Sequence, residues 1–183
     1  MALKYRENLL GENGRILRKY VLDASTDFQV GDVVMAGTGG EGFIGEVITA
    51  TAGLRVVGVI QAIITNRGVS PSDNGCGGAF VDQYRTAANN ETGAQVSVIV
   101  DISPFSVYSA DLDDTIGVTT GSNRAFYYLD LDTGVANQQL NEASAAAPST
   151  GSGQFVTHGV DPQDTNNVLV SIHESFLIGE SGI

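Results

Sequence analysis

Ala94-Gln95-Val96-Ser97-Val98-Ile99-Val100-Asp101-Ile102 decides the fold. Val96, Val98, Val100 and Ile102 recur at every second position, so an extended chain puts them on one face. A helix would scatter them around its axis. Ser103-Pro104 ends the run, and Phe105 to Tyr108 resumes an extended pattern. This is a β-strand with one apolar face. The neighbouring sequence extends that signal in both directions.

Upstream, Leu54 to Ile64 is apolar at almost every position and predicts one long strand, or two broken at Gly58. Runs of that kind are buried on both faces, as in a barrel or sandwich. Val30 to Ala36 and Phe43 to Ile48 predict strands on either side of a Gly39-Gly40 turn. Downstream, Ala125 to Leu131, Gln154 to Val160 and Asn167 to Phe176 predict three more. Asp161-Pro162-Gln163-Asp164 is a turn between the last two. Ser109 to Gly117 reads as a helical turn or capped loop. Residues 66–78 and Asn137 to Ser152 read as loops. The 23 glycines against four prolines suit many tight turns. Val and Ile are plentiful and favour pleated, half-buried surfaces. The fold class is therefore all-β, as a compact β-barrel or β-sandwich.

Charge divides the chain. Five of the nine basic residues, Lys4, Arg6, Arg15, Arg18 and Lys19, fall in the first nineteen positions, beside only Glu7 and Glu12. Beyond Tyr20 there are four Arg against nineteen acids, and no Lys at all. We expect an N-terminal arm over residues 1–28, a β body over 29–178 and a C-terminal tail over 179–183. Arg15 to Leu22 within the arm suits a short strand or a helical turn. A net charge of −12 excludes the body as a nucleic-acid surface, because phosphate contacts need Lys and Arg. No apolar run approaches the ~20 residues that span a bilayer. Leu9-Leu10, broken at once by Gly11, is too short for a signal-peptide core. The chain is expected to be soluble and to stay in the cell that makes it.

Residues with chemical potential are few. Gly37-Thr38-Gly39-Gly40-Glu41-Gly42 has the glycines of a phosphate loop but no following Lys-Ser or Lys-Thr, and another strand comes next. Cys76 is single and cannot form an intrachain disulfide. His158 and His173 bring no obvious third zinc ligand. Asp111, Asp113 and Asp114, and separately Asp130 and Asp132, are oxygen-rich but lack EF-hand spacing. Ser171 and His173, two apart on a strand, share a face, yet no Gly-x-Ser-x-Gly elbow is present. We expect no enzyme and no cofactor.

Two stretches together resemble the small head-associated proteins of tailed bacteriophages, the decoration or cement proteins. One runs from Phe28-Gln29-Val30-Gly31-Asp32-Val33-Val34 to Gly58-Val59-Ile60-Gln61. The other is Gly159-Val160-Asp161-Pro162 through Ser171-Ile172-His173-Glu174. The resemblance implies a β-barrel or β-sandwich on the capsid exterior, made in the host cytoplasm, with the major capsid protein as partner. It also implies a homo-oligomer, a trimer above other states, with an extended arm gripping the shell or a neighbour. Within that arm, Arg6, Arg15, Arg18 and Lys19 are the expected electrostatic contacts, and Ile16, Leu17 and Tyr20 the apolar anchors. A virion surface module that binds glycans or host surfaces, or a tail component, is the alternative, with Tyr84, Tyr108, Tyr127 and Tyr128 as stacking candidates.

Overall fold

The computed structural model describes residues 3–11, 14–23, 26–41, 44–65, 80–82, 84–85, 96–112, 125–132, 138–146 and 153–178. These residues form fourteen strands and no α-helix. In chain order they are β1 (Lys4–Asn8), β2 (Leu17–Leu22), β3 (Phe28–Gln29), β4 (Val33–Glu41), β5 (Ile44–Thr49), β6 (Gly58–Thr65) and β7 (Phe80–Asp82). They continue as β8 (Tyr84–Arg85), β9 (Ser97–Asp101), β10 (Ser106–Ala110), β11 (Ala125–Asp132), β12 (Gln139–Ala146), β13 (Phe155–Asp161) and β14 (Asp164–Ile172). The protein is all-β.

One sheet closes on itself. Its order is β4-β5-β2-β9-β6-β7, and β4 also pairs with β6, so β4, β5, β2, β9 and β6 form a ring. All ladders in that ring are antiparallel except β2 with β5. Alternation puts one side chain in two inside the ring. Leu22, Val34, Val47, Ile60, Ile63, Val98 and Val100 form its core together with Phe28 and Val57. Ile60 and Ile63 break a simple alternation, and both stay buried because a register shift lies between Ile60 and Ala62. Gly58 opens β6, at the position where the sequence suggested a break. A Cβ there would stand 2.0 Å from the carbonyl oxygen of Asp101, so no other residue fits.

The second sheet has the order β1-β10-β14-β13-β11-β12. A bridge between Leu112 and Leu140 curls its far edge back towards the end of β10. Tyr108, Ala110, Leu129, Leu131, Leu140, Phe155, Val168, Val170 and Ile172 from this sheet meet Val33, Val56 and Val59 from the outside of the ring in one core. Polar side chains tie the two bodies across it. Gln154 is fully buried; its amide donates to the carbonyls of Thr51 (2.9 Å) and Leu54 (2.7 Å) and accepts from Leu131 N–H (3.1 Å). Gln138 exchanges bonds with the Val33 backbone at 2.6 and 3.0 Å.

The structure differs from the sequence reading in four places, the first being the expected Gly39-Gly40 turn, which lies within β4 and pairs with β5. Residues expected to stand apart as an arm contribute β1 to the open sheet and β2 to the ring. Leu3 and Tyr5 join the shared core, and Tyr20 and Leu22 the ring interior, which explains why the segment docks. Within the expected loop from Asn137 to Ser152 lies β12, held against β11 and anchored by the buried Leu140. Ser109 and Ala110 finish β10 as strand, not helical turn. The 66–78 loop with Cys76, Asp113, Asp114 and the 179–183 tail lie outside the described residues.

Candidate interaction surface

Start from Asp101. It ends β9 on the face opposite Val98 and Val100, which places it outside the ring and beneath the open sheet, with no exposure at all. A buried carboxylate needs a partner and hydrogen bonds. Arg15 supplies the charge, its Nε 2.8 Å from Asp101 Oδ2. Ser106 Oγ donates to the same oxygen at 2.8 Å, and Ser103 N–H donates to Oδ1 at 3.0 Å. Arg15 also bonds Gln61 Oε1 and lies 3.9 Å above the Tyr5 ring. Asn8 Nδ2 donates to Ser103 Oγ (2.9 Å), which donates in turn to Gly14 C=O (3.1 Å). Burial, then the nearby Asp101 charge, pushes the Tyr108 phenol well above its ordinary pKa. Its hydroxyl lies beside this cluster, and among the described residues no group stands in good hydrogen-bond geometry to it.

That network fixes two chain crossings side by side. Leu9 N–H donates to Phe105 C=O and Ile102 N–H to Ile16 C=O, both at 2.9 Å. On top of them sit Leu9 (57% exposed), Leu10 (62%), Ile16 (45%), Leu17 (47%) and Phe105 (42%). These are five of the eight exposed large hydrophobics among the described residues, gathered at one end. Arg18 and Lys19 follow directly and are exposed. Exposed apolar side chains brought near one another by backbone pairing suit a contact site. Here the loops beneath are pinned by a buried ion pair and its hydrogen bonds, so the surface is preorganised.

Among the described residues, the backbone at this end is paired along the β9 side and only partly along the β5 side. Ile16 C=O and Leu22 N–H bond on the β9 side, while Asp23 N–H donates to Val47 C=O on the β5 side. Strand alternation then directs the backbone groups of Leu17 and Lys19 towards β5. The β5 ladder begins only at Val21, opposite Glu46.

The seven expected contact residues therefore divide. Ile16, Leu17, Arg18 and Lys19 are presented at the surface. Tyr20 packs against the ring core. Arg15 is engaged with Asp101, and Arg6 with Asp161 (Nη2 2.5 Å, Nε 2.9 Å) and Gln163 (2.7 Å). Sequence reasoning missed Leu9, Leu10 and Phe105. Leu9-Leu10 beside Gly11 carries a signal, two apolar residues at a turn, but Phe105 joins them only through tertiary pairing.

The remaining candidates are placed as follows. Ser171 pairs with His158, not with His173, at 2.8 Å between Oγ and Nε2. The Thr157–Gly159 register shift turns His158 towards it, on the outer face of the open sheet. Partial burial holds that imidazole below its ordinary pKa. His173 bonds Ser175 and packs edge-on to Tyr128. Among the described residues no three His, Cys, Asp or Glu gather to hold a metal ion. No family model, curated protein or solved structure matches the chain.

Proposed function

We propose that this chain is a virion structural protein that binds the outside of an assembled bacteriophage capsid and stabilises it by bridging capsid subunits. The observation that carries the reading is the gathering of Leu9, Leu10, Ile16, Leu17 and Phe105 beside Arg18 and Lys19, on a molecule otherwise strongly acidic. An acidic exterior suits a position away from packaged DNA. A protein that binds the assembled shell and not its free subunits raises shell stability by mass action. The partner is the major capsid protein, the location the capsid exterior, and the working form a homo-oligomer, with three copies favoured.

Co-sedimentation with assembled heads of the phage that encodes the chain, and with their unassembled capsid subunits, tests this. Binding to heads alone, with a higher temperature of head disruption, is the expected result. No binding, or equal binding to free subunits, contradicts it. Deleting the first twenty residues is no test, since it removes β1 and most of β2.

One observation favours the alternative, a surface-recognition module. Phe126 is 64% exposed and holds φ at 70°, a left-handed conformation unusual for an aromatic residue. Strain of this kind concentrates at recognition sites. Tyr108 is fully buried and unavailable for stacking on a ligand. Hits on a glycan array that Phe126→Ala abolishes would carry that reading over the first.

A further inference from the structure

We infer that Ser171 and His158 form a nucleophile–base pair on the outer face of the open sheet, able to hydrolyse small neutral esters. The inference is independent of the capsid reading and uses none of the residues of that contact.

Ser171 Oγ lies 2.8 Å from His158 Nε2, within the reach a serine nucleophile and its base require. With the imidazole proton on Nδ1, Nε2 accepts from the hydroxyl. Partial burial lowers the imidazole pKa, so the ring is neutral near pH 7 and free to take a proton. The Glu7 charge acts in the opposite direction and favours the imidazolium once it forms. Register brings that acid to the same face. Glu7 pairs with Val107, Tyr108 with Val170, and Ser171 with Val156. Tyr108 and Val170 point into the shared core, so Glu7, Val107 and Ser171 line the other side.

Two irregularities converge on the pair. β13 slips register between Thr157 and Gly159, with Gly159 at φ 130°, and His158 is the residue between them. β11 slips between Ala125 and Tyr128. Ala125 pairs with His158, so this second slip sits beside it. Phe126, inside the slip, holds φ at 70° and is 64% exposed. Bulges re-aim side chains and are over-represented next to active sites. Strained backbone concentrates there too. Two adjacent strands thus give up regular pairing where an imidazole meets a serine. Ser171 is 8% exposed, whereas His158 and Phe126 face solvent. Nothing in the sequence around Ser171 announces this, because the base arrives from another strand.

The chemistry is acyl transfer. Ser171 Oγ bonds to the carbonyl carbon of an ester while its proton passes to His158 Nε2. Collapse breaks the bond to the alkoxy oxygen, which leaves with the proton from Nε2. Water then repeats the sequence on the acyl-serine, releasing the acid and restoring the hydroxyl. Phe126 offers an apolar contact for the acyl or aryl part. Glu7 and the acidic body disfavour an anion, so the substrate is neutral.

A fluorophosphonate probe and hydrolysis of p-nitrophenyl acetate, both on the purified full chain, test this. Ser171 is expected to carry the phosphonate, its oxygen displacing fluoride as its proton leaves through His158, and peptide mass spectrometry locates it. Ser171→Ala should lose the adduct and bring hydrolysis down to the buffer rate. His158→Gln should slow both reactions by at least ~100-fold. Glu7→Gln should lower the pH at which the rate rises, since it removes the charge that raises the imidazole pKa. Thermal unfolding establishes that each variant is folded. No label on Ser171 in folded protein, or hydrolysis that survives Ser171→Ala, would overturn the inference. Head binding by a protein with an inert Ser171 would sink this inference and leave the capsid reading standing. A reactive Ser171 on a protein that ignores heads would do the reverse.

Discussion

Lys4 to Arg15 and Ile16 to Lys19 are adjacent and both net basic, yet the fold uses their cations in opposite ways. In the first stretch Arg6 and Arg15 reach acids far along the chain, Asp161 and Asp101, both almost wholly buried. Their charge is spent inside the molecule, joining β1 and the loop after it to the open sheet and the ring. In the second stretch Arg18 and Lys19 stay at the surface beside Ile16 and Leu17. A run of like charge is therefore not one feature. Its members are separated by burial, since Arg6 and Arg15 meet buried carboxylates while Arg18 and Lys19 are exposed, and that is a tertiary property.

The sharpest way to break this comparison is Asp101→Ala. It leaves the Arg15 guanidinium without its buried partner and strips Ser106 and Ser103 of an acceptor. Removing one member of a buried pair costs about 3–5 kcal/mol, and urea denaturation should show a loss of that order. A loss below ~1 kcal/mol would mean that Arg15 finds water instead. Arg6→Ala should cost less, about 1–3 kcal/mol. Asp161 keeps its bond from Gln163 N–H (2.9 Å) when Arg6 is gone, and Arg6 is itself partly exposed.

Acidity separates the same two groups. Burial pushes Asp161 up, but hydrogen bonds from Ser109, Gln163 and Arg6, with the Arg6 charge, outweigh it and hold the carboxyl below its ordinary value. The folded form then binds fewer protons than the unfolded one. The stability Asp161 contributes is complete above the unfolded value of ~3.9 and is lost as pH falls through the folded value. Arg6→Ala should flatten that acid limb in a pH series of unfolding midpoints. His158 acts at higher pH. Its folded pKa is lowered, so its contribution is complete above ~6.5 and declines as pH falls below that. His158→Gln should remove the decline. The smallest stability effect belongs to the second stretch: Arg18→Ala and Lys19→Ala should each stay within ~0.5 kcal/mol of wild type.

Much of the fold was legible because strand alternation is local. Val98 and Val100 face the ring interior as their spacing predicts, and Gly58 opens β6 where the apolar run allowed a break. The closing of the ring was not legible, since it depends on β2 pairing in parallel with β5 and on β4 reaching β6. β12 was hidden by small polar residues that resemble a loop; Leu140 and the pairing with β11 override that composition. Asp101 looked like the polar end of a strand. Its role appeared only when the open sheet covered the outer face of β9. Of the proposed contact surface, the exposure of Ile16 to Lys19 could be read from charge and hydropathy. Phe105 could not, because it is brought there by the backbone bond to Leu9. The Ser171–His158 bond was not legible for a related reason: spacing shows only that Ser171 and His173 share a face, while the irregular pairing of β13 brings in His158.

Amide hydrogen exchange on the purified chain, free and bound to assembled heads, tests the central claim most directly. The account predicts that protection grows on binding at Ile16 to Lys19 and at Phe105. Lys4 to Arg6, already bonded within the molecule, should change little. Uniform behaviour of the two stretches, or no gain at Ile16 to Lys19 on heads, would contradict the division between an internal and a presented half.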